Sequence, residues 1–327
     1  MDEAAMLELG VTVGTVLAST LRMATPLILC ALAGTLSERA GVIDLGLEGK
    51  MLATAFAAAS VGVWTGSLTA AVLAAIAVGV ALSMLQGYGC VSHRGDQVVM
   101  GMAITMTAAG LTVVLGIAWF KQGGQTPPIA DAVRLAPWFT GLGAAVAELP
   151  LIGPVLAGLF GHAPLVYIAF ALVFLVWWVL YRTRLGVRWR ATGENPAMVD
   201  AAGVSVIGLR YLALAGNGVL SALAGCYLVL ALNPQFIPNM TAGRGYMALA
   251  AMIFGKWHPG GALLACLLFG FLDALSIRLQ GASLGGVAVP VQAIQALPYV
   301  LTVVLLAGFI GRAYAPKALG VPYVKER

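Results

Sequence analysis

Long apolar runs separated by short polar segments make up most of this chain. A helix needs about 20 mostly apolar residues to cross a hydrocarbon core of about 30 Å. Runs of that kind fall at 11–36, 50–64, 68–91, 98–118, 163–181, 209–231, 246–257, 260–277 and 296–311. They predict an all-α fold: one polytopic transmembrane helical bundle over residues 1–327, with about nine spans and eight to ten compatible. The runs at 50–64 and 246–257 are short or interrupted by Gly, and read as broken or partly crossing helices. Between them, 119–162 carries Pro127, Pro128, Pro137, Pro150 and Pro154 with Trp119, Phe120, Trp138 and Phe139. The aromatics suit a lipid–water interface. The apolar stretch 141–160 is compatible with an interfacial or re-entrant helix, or with a tenth membrane element.

Composition agrees with the pattern. The 327 residues are 61% hydrophobic and 9% charged, against about a quarter charged in soluble domains. That is too little charge to cover a water-facing surface. Gly is abundant without a three-residue period, which fits close helix contact in lipid. Cys30, Cys90, Cys226 and Cys266 form no CxxC pair, and His93, His162 and His258 lie far apart, so no metal cage is expected. The acidic start, MDEAAMLELG, has no basic segment before its apolar run, and no removable signal peptide is expected.

The charge distribution orients the bundle. With an external N-terminus and alternating spans, 13 of the 18 Lys and Arg fall in inner segments, 4 in outer ones, and Arg22 within the first span. This positive-inside bias favours an odd number of spans and a cytoplasmic C-terminus. The basic residues therefore mark a membrane face, and no nucleic-acid partner is implied. Arg22 reads as snorkelling or paired, and Asp273 as a possible partner of Arg278.

Two stretches echo each other. Residues 46–55, GLEGKMLATA, and 242–251, AGRGYMALAA, align Gly49 with Gly245, Met51 with Met247 and Ala53 with Leu249, and both set Gly and a basic residue before an apolar helix. The alternation starts one from inside and the other from outside, as an inverted internal repeat does. Short, Gly-interrupted segments in matching positions point to a central path.

The segment 182–208 is the richest polar stretch. Arg182, Arg184, Arg188 and Arg190 precede Gly193-Glu194-Asn195-Pro196. Asn195 suits a helix cap with Pro196 in the first turn, and Gly203 suits its end. A short surface helix results, either a docking element for a soluble motor or an interfacial anchor.

Residues 182–196, RTRLGVRWRATGENP, resemble the coupling loop of bacterial ATP-binding-cassette (ABC) importer permeases of the branched-chain amino acid, simple sugar and nucleoside group. Residues 36–49, 239–246, 254–259 and 315–320 are similar to further signatures of that group, the ones near the C-terminus most like the nucleoside branch associated with a basic-membrane-protein type lipoprotein. Asp96-Gln97 departs from the Asn-Gln usual there. The resemblance implies a permease for nucleosides in the bacterial inner membrane. It implies as partners an ABC ATPase, a second permease subunit that is a paralogue, and an extracytoplasmic substrate-binding lipoprotein. It also implies no cofactor on this chain, with ATP and Mg on the ATPase. The absence of a GxxxxGK[ST] stretch agrees, and no nucleophile–base pair suggests an enzyme. The same machine importing branched-chain amino acids or simple sugars, and a stand-alone secondary transporter or channel, are the alternatives. Coupling to the ATPase is expected at Arg190, Gly193, Glu194, Asn195, Pro196 and Asp200. Intramembrane polar groups are costly unless they face a cavity or a partner, so candidates for the path are Glu48, Thr54, Phe56, Gln97, Thr105, Asn217, Ser221, Asn239, Thr241 and Tyr246. Glu48 also suits a structural role, accepting from free N–H groups at a helix start.

Overall fold

In a computed structural model, residues 3–147, 149, 153–279 and 314–325 are described, with 283, 284, 287, 288, 292, 296 and 300. Twelve α-helices occur among them: α1 (Glu3–Arg39), α2 (Leu47–Thr65), α3 (Leu68–Gly87), α4 (Gln97–Phe120), α5 (Thr140–Ala147), α6 (Gly153–Ala157), α7 (Pro164–Arg182), α8 (Arg184–Glu194), α9 (Pro196–Ala201), α10 (Val206–Tyr227), α11 (Arg244–Phe254) and α12 (Pro259–Leu279). α3 and α10 each continue through a π-helical turn, Tyr88–Ser92 and Leu228–Leu232. The one β feature among the described residues is a two-residue ladder, Ser283–Leu284 with Val287–Ala288. The predicted span 296–311 lies outside the described residues, apart from isolated positions.

Among the described residues, six helices are long and apolar enough to cross a membrane: α1, α3, α4, α7, α10 and α12, with α3 and α10 counted through their π turns. Polar caps set their ends. The Asp96 carboxylate accepts from Val98 and Val99 N–H at the start of α4 (2.8 and 2.9 Å), and the Ser205 hydroxyl accepts from Gly208 N–H at α10. These side chains satisfy donors that a helix start leaves open. The run at 50–64 is not broken: α2 is continuous for 19 residues and ends on left-handed Gly66. Its Glu48 and Lys50, both buried, interrupt the hydropathy without interrupting the helix. The run at 246–257 is short, as its length suggests: α11 has 11 residues. Among the described residues of 141–160, no long helix occurs. They include α5 and α6, and the Pro154 carbonyl meets Gly14 of α1 so closely that a Cβ there would clash.

α1 and α10 form the centre of the bundle and run antiparallel, with Asn217 beside Ala33 and Arg210 beside Gly41. α12 crosses α1 where Gly270 meets Ala24, and α3 crosses α10 where Gly79 and Gly218 meet backbone to backbone. α11 lies on α1 at Gly34, and α2 lies on α10 at Gly225. The neighbours of α1 are thus matched by those of α10. Small residues at all these crossings let the backbones approach without a hydrophobic drive between apolar helices in lipid.

At the end of the bundle marked by Arg39, α8 docks on α1. Trp189 Nε1 donates to Leu36 O at 2.8 Å, and a Cβ on Gly193 would collide with Arg39 O. α9 follows as predicted: Asn195 Oδ1 accepts from Met198 N–H (3.2 Å) and Gly203, at φ 78°, ends the turn. α8 itself is not apparent as a helix in the sequence reading, because its arginines read only as loop charge. Residues 314–325 return to this segment: Ala318 N–H donates to Gly193 O (2.8 Å), Gly320 N–H to Gly41 O, and Arg210 to Val321 O. Arg210 and Lys50 are among the 13 basic residues that the alternation places in inner segments, yet both are fully buried within helices. Without them the positive bias still stands.

Candidate functional site

Two polar centres lie inside the bundle. The first joins α1, α2, α3 and α10. Lys50 Nζ sits 2.7 Å from Asp44 Oδ2, with both side chains wholly buried, and donates to Asn217 Oδ1 at 2.9 Å. Ser83 donates to the same oxygen. Asn217 Nδ2 reaches Ala33 O and Ser37 Oγ, and Asp44 Oδ1 accepts from Gly46 N–H. Beside it Gln97 Oε1 accepts from Ile43 N–H (2.7 Å) while Gln86 Nε2 donates to Ile43 O. Together these groups hold the non-helical turn between α1 and α2. A buried charge survives only when paired and hydrogen-bonded, and every member of the Lys50 group has a partner.

The second centre is where the two echoed stretches meet. The Glu48 carboxylate, at the start of α2, accepts from Gly243 N–H (2.8 Å) and Gly245 N–H (2.6 Å) at the start of α11. A Cβ on Gly245 would strike the Glu48 backbone, so the approach needs Gly. The two helices run in opposite directions against α1: Leu47 and Met51 meet Gly34 and Cys30, whereas Met252 and Trp257 meet Gly34 and Glu38. The opposed directions match the sequence reading. The starting points do not lie on opposite faces but abut. Glu48 caps the other stretch's helix, where the anion meets its free N–H groups and positive dipole end.

Depth follows from length. Lys256 O and Trp257 O, just past α11, accept from Arg39 at the end of α1. Counting back the 11 residues of α11 at about 1.5 Å each puts Arg244 at most roughly 16 Å from that end, within an about 30 Å core. The segment before it, 233–243, is non-helical, with Asn239, Ala242 and Gly243 at positive φ. Its backbone is paired in part to 126–129: Thr126 N–H donates to Phe236 O, and Ile129 N–H to Pro234 O. Irregular backbone at membrane depth is tolerated only where it is buried in protein or lines a water-filled cavity. Asn239 and Tyr246 are exposed here, and the Tyr246 hydroxyl lies 3.8 Å from Met102 Sδ on α4. Met102 and Met106 continue that exposed face.

The ten path candidates therefore divide. Glu48, Thr54, Gln97, Asn217 and Ser221 lie buried among other helices; Thr54 and Ser221 donate to the carbonyls four residues back, Lys50 O and Asn217 O. Thr241 is also buried. Thr105 donates to Gly101 O. Phe56 stacks on Trp119 at 5.6 Å and meets Phe236 edge-on. Asn239 and Tyr246 stand on the open face. Sequence reasoning missed Asp44, Ser83 and Gln86, whose partners lie far away in the chain, and it missed Met102 and Met106, which look like ordinary span residues.

At the Arg39 end, Trp257 Nε1 donates to Glu38 Oε2 at 2.6 Å. His258, in the turn between α11 and α12, is held below its usual pKa by burial and by the nearby Arg39 cation. Of the coupling candidates, Gly193 lies in the α1 contact, Asn195 caps α9, and Arg190 donates to Leu180 O while its guanidinium lies over the Tyr181 ring. Glu194 accepts weakly from Lys317 N–H, and Asp200 faces Lys325 at 3.8 Å. Met198 and Val187 leave apolar surface open beside Glu194, Asn195 and Pro196.

Long apolar helices, a short helix starting inside the bundle and a face open beside it define a multi-pass membrane protein with the architecture of a solute permease. The chain belongs to the family described as branched-chain amino acid transport system / permease component, which matches residues 16–311. It is similar to the guanosine ABC transporter permease protein NupQ of Bacillus subtilis, at 37% identity over 94% of this chain and 96% of that one. The nucleoside ABC transporter permease protein NupC of Lactococcus lactis is 35% identical over 97% and 98%. The protein named putative glucose ABC transporter permease protein TsgC13, of Haloferax volcanii, is 34% identical over 94% and 97%.

Proposed function

We propose that this chain is the permease subunit through which an ABC importer carries nucleosides inward across a bacterial inner membrane. The observation that carries the reading is the short α11, capped inside the bundle by Glu48 and preceded by irregular backbone beside an open face. The names of two relatives support nucleosides as cargo. In this reading the chain has nine spans with an external N-terminus, and the Arg39 end is cytoplasmic. The matched neighbours of α1 and α10 support an inverted repeat, with α1–α4 as one half and α10–α12 with the span at 296–311 as the other. A separate ATPase, holding ATP and Mg, docks on α8–α9. A paralogous permease closes the path, and a lipoprotein delivers solute from outside.

On this account the solute passes Asn239, Tyr246, Met102 and Met106. Tyr246 offers a ring for the base and Asn239 an amide for the sugar, while the methionine thioethers adapt to the shape of the solute. The experiment is cysteine accessibility. Asn239→Cys and Tyr246→Cys, in the assembled complex, should react with a membrane-impermeant thiol reagent and be shielded by guanosine. The four native thiols are buried and should stay silent. Failure of both positions to label would remove the path from this face. The glucose relative supports a second reading, so glucose belongs in the same assay: shielding by glucose and not by guanosine would choose it.

A further inference from the structure

A groove lies on the other flank of α4, away from the proposed path. Its floor is α2, from Ala53 through Ala57 and Ser60 to Trp64, and its walls are α3 and α4, which stand apart there. It holds about 420 Å³. By the 3.6-residue period, Ala103, Thr107 and Leu111 look into it, while Met102 and Met106 face the side of Tyr246. Among its lining groups only Ser60, Thr107, Thr112 and the indoles of Trp64 and Trp119 bear polar atoms, and Thr112 donates to its own helix at Ala109 O. Along α2 it runs from Ala53 to Trp64, about 16 Å at the usual helical rise, or about one leaflet of a 30 Å core. The indoles of Trp64 and Trp119 meet at the far end, 4.9 Å apart. Indoles prefer the headgroup level. Two residues beyond Trp119, the exposed Lys121 ends α4 in a left-handed conformation. It belongs to none of the salt bridges among the described residues.

We infer that this groove is a resident phospholipid site: one acyl chain lies between α3 and α4, and the phosphate sits at Lys121. Length, apolar lining, indoles at one end and a cation beyond them are what an acyl chain with an anionic head requires. The site does not depend on which solute is transported. Ser60 separates it from a polar ligand. Its hydroxyl is buried and unpartnered, so a nucleoside base in the groove would use it, whereas an acyl chain would not.

The test is retained lipid, measured by native mass spectrometry on the complex purified from vesicles of phosphatidylethanolamine and phosphatidylglycerol. The wild type should keep one phospholipid per chain. Ala57→Leu with Ala103→Leu should fill the groove and release it. Lys121→Gln, a surface change that leaves the core untouched, should weaken retention roughly fivefold, and Ser60→Ala should leave it unchanged. Absence of lipid from the wild type, or equal retention in the filled and Lys121→Gln proteins, would overturn the site. So would loss of lipid in Ser60→Ala, displacement by guanosine, or cross-linking of Ala74→Cys to the second permease.

Discussion

Single residues decide whether charge can exist inside this bundle. Lys50 and Asp44 are paired without any water contact, and removal of one partner from a buried pair costs about 3–5 kcal/mol because the other is left uncompensated. Lys50→Met should therefore destabilise the detergent-solubilised protein by that amount in thermal unfolding. Asp44→Leu with Lys50→Met together should restore most of the loss, since nothing charged then stays buried. Equal damage from the double variant would show that Asn217 and Gly46, not the charges, hold the turn. At the open face the expectation differs. Tyr246→Ala should leave melting unchanged and weaken solute binding, by about 1–3 kcal/mol if the ring stacks on a base, whereas Tyr246→Phe should keep most of the affinity. The sequence singles out Asn217 and Glu48, because a polar group in an apolar run is visible without coordinates, but reads Lys50 as a loop charge. It could not say whether each met a solute or another helix, since Asn217 and Lys50 stand 167 residues apart.

At the scale of elements, the helices with long apolar runs were legible almost to their ends, because length and hydropathy alone select them in a bilayer. α2 reads as weak, since Glu48 and Lys50 lower its hydropathy, although their partners restore the helix. α8 was hidden for a different reason. Its buried face consists of Gly186, Trp189, Thr192 and Gly193, three of them small or polar, so no apolar stripe announces it. α8 packs on the end of α1 with α9 following it, tied by Trp189, Gly193 and the returning residues 316–321. Replacing Glu194, Asn195 and Pro196 together should remove the α9 cap and its open apolar edge while sparing the α8–α1 contact. ATP hydrolysis by the assembled importer should then continue without matching uptake in a vesicle assay. Intact coupling would remove α9 from the drive.

Across the whole molecule, the echo of two short stretches proved to be a meeting place. Sequence similarity placed Gly49 opposite Gly245. The structure brings Glu48 onto the N–H groups of the second stretch, and surrounds α1 and α10 with matched neighbours. Such a centre suits alternating access, in which one half moves against the other around a fixed site. The α8–α9 segment, pressed by a motor, would move the end of α1 and with it α11, which Arg39 ties at Lys256 and Trp257. Transport would then need the partner ATPase at every cycle. The most direct measurement is uptake of labelled guanosine into vesicles containing the purified complex and its binding protein, with ATP or a non-hydrolysable analogue inside a matched set. The account predicts accumulation with ATP alone, and none from this chain without its ATPase. Guanosine accumulation by the isolated chain, or equal uptake with the analogue, would contradict it.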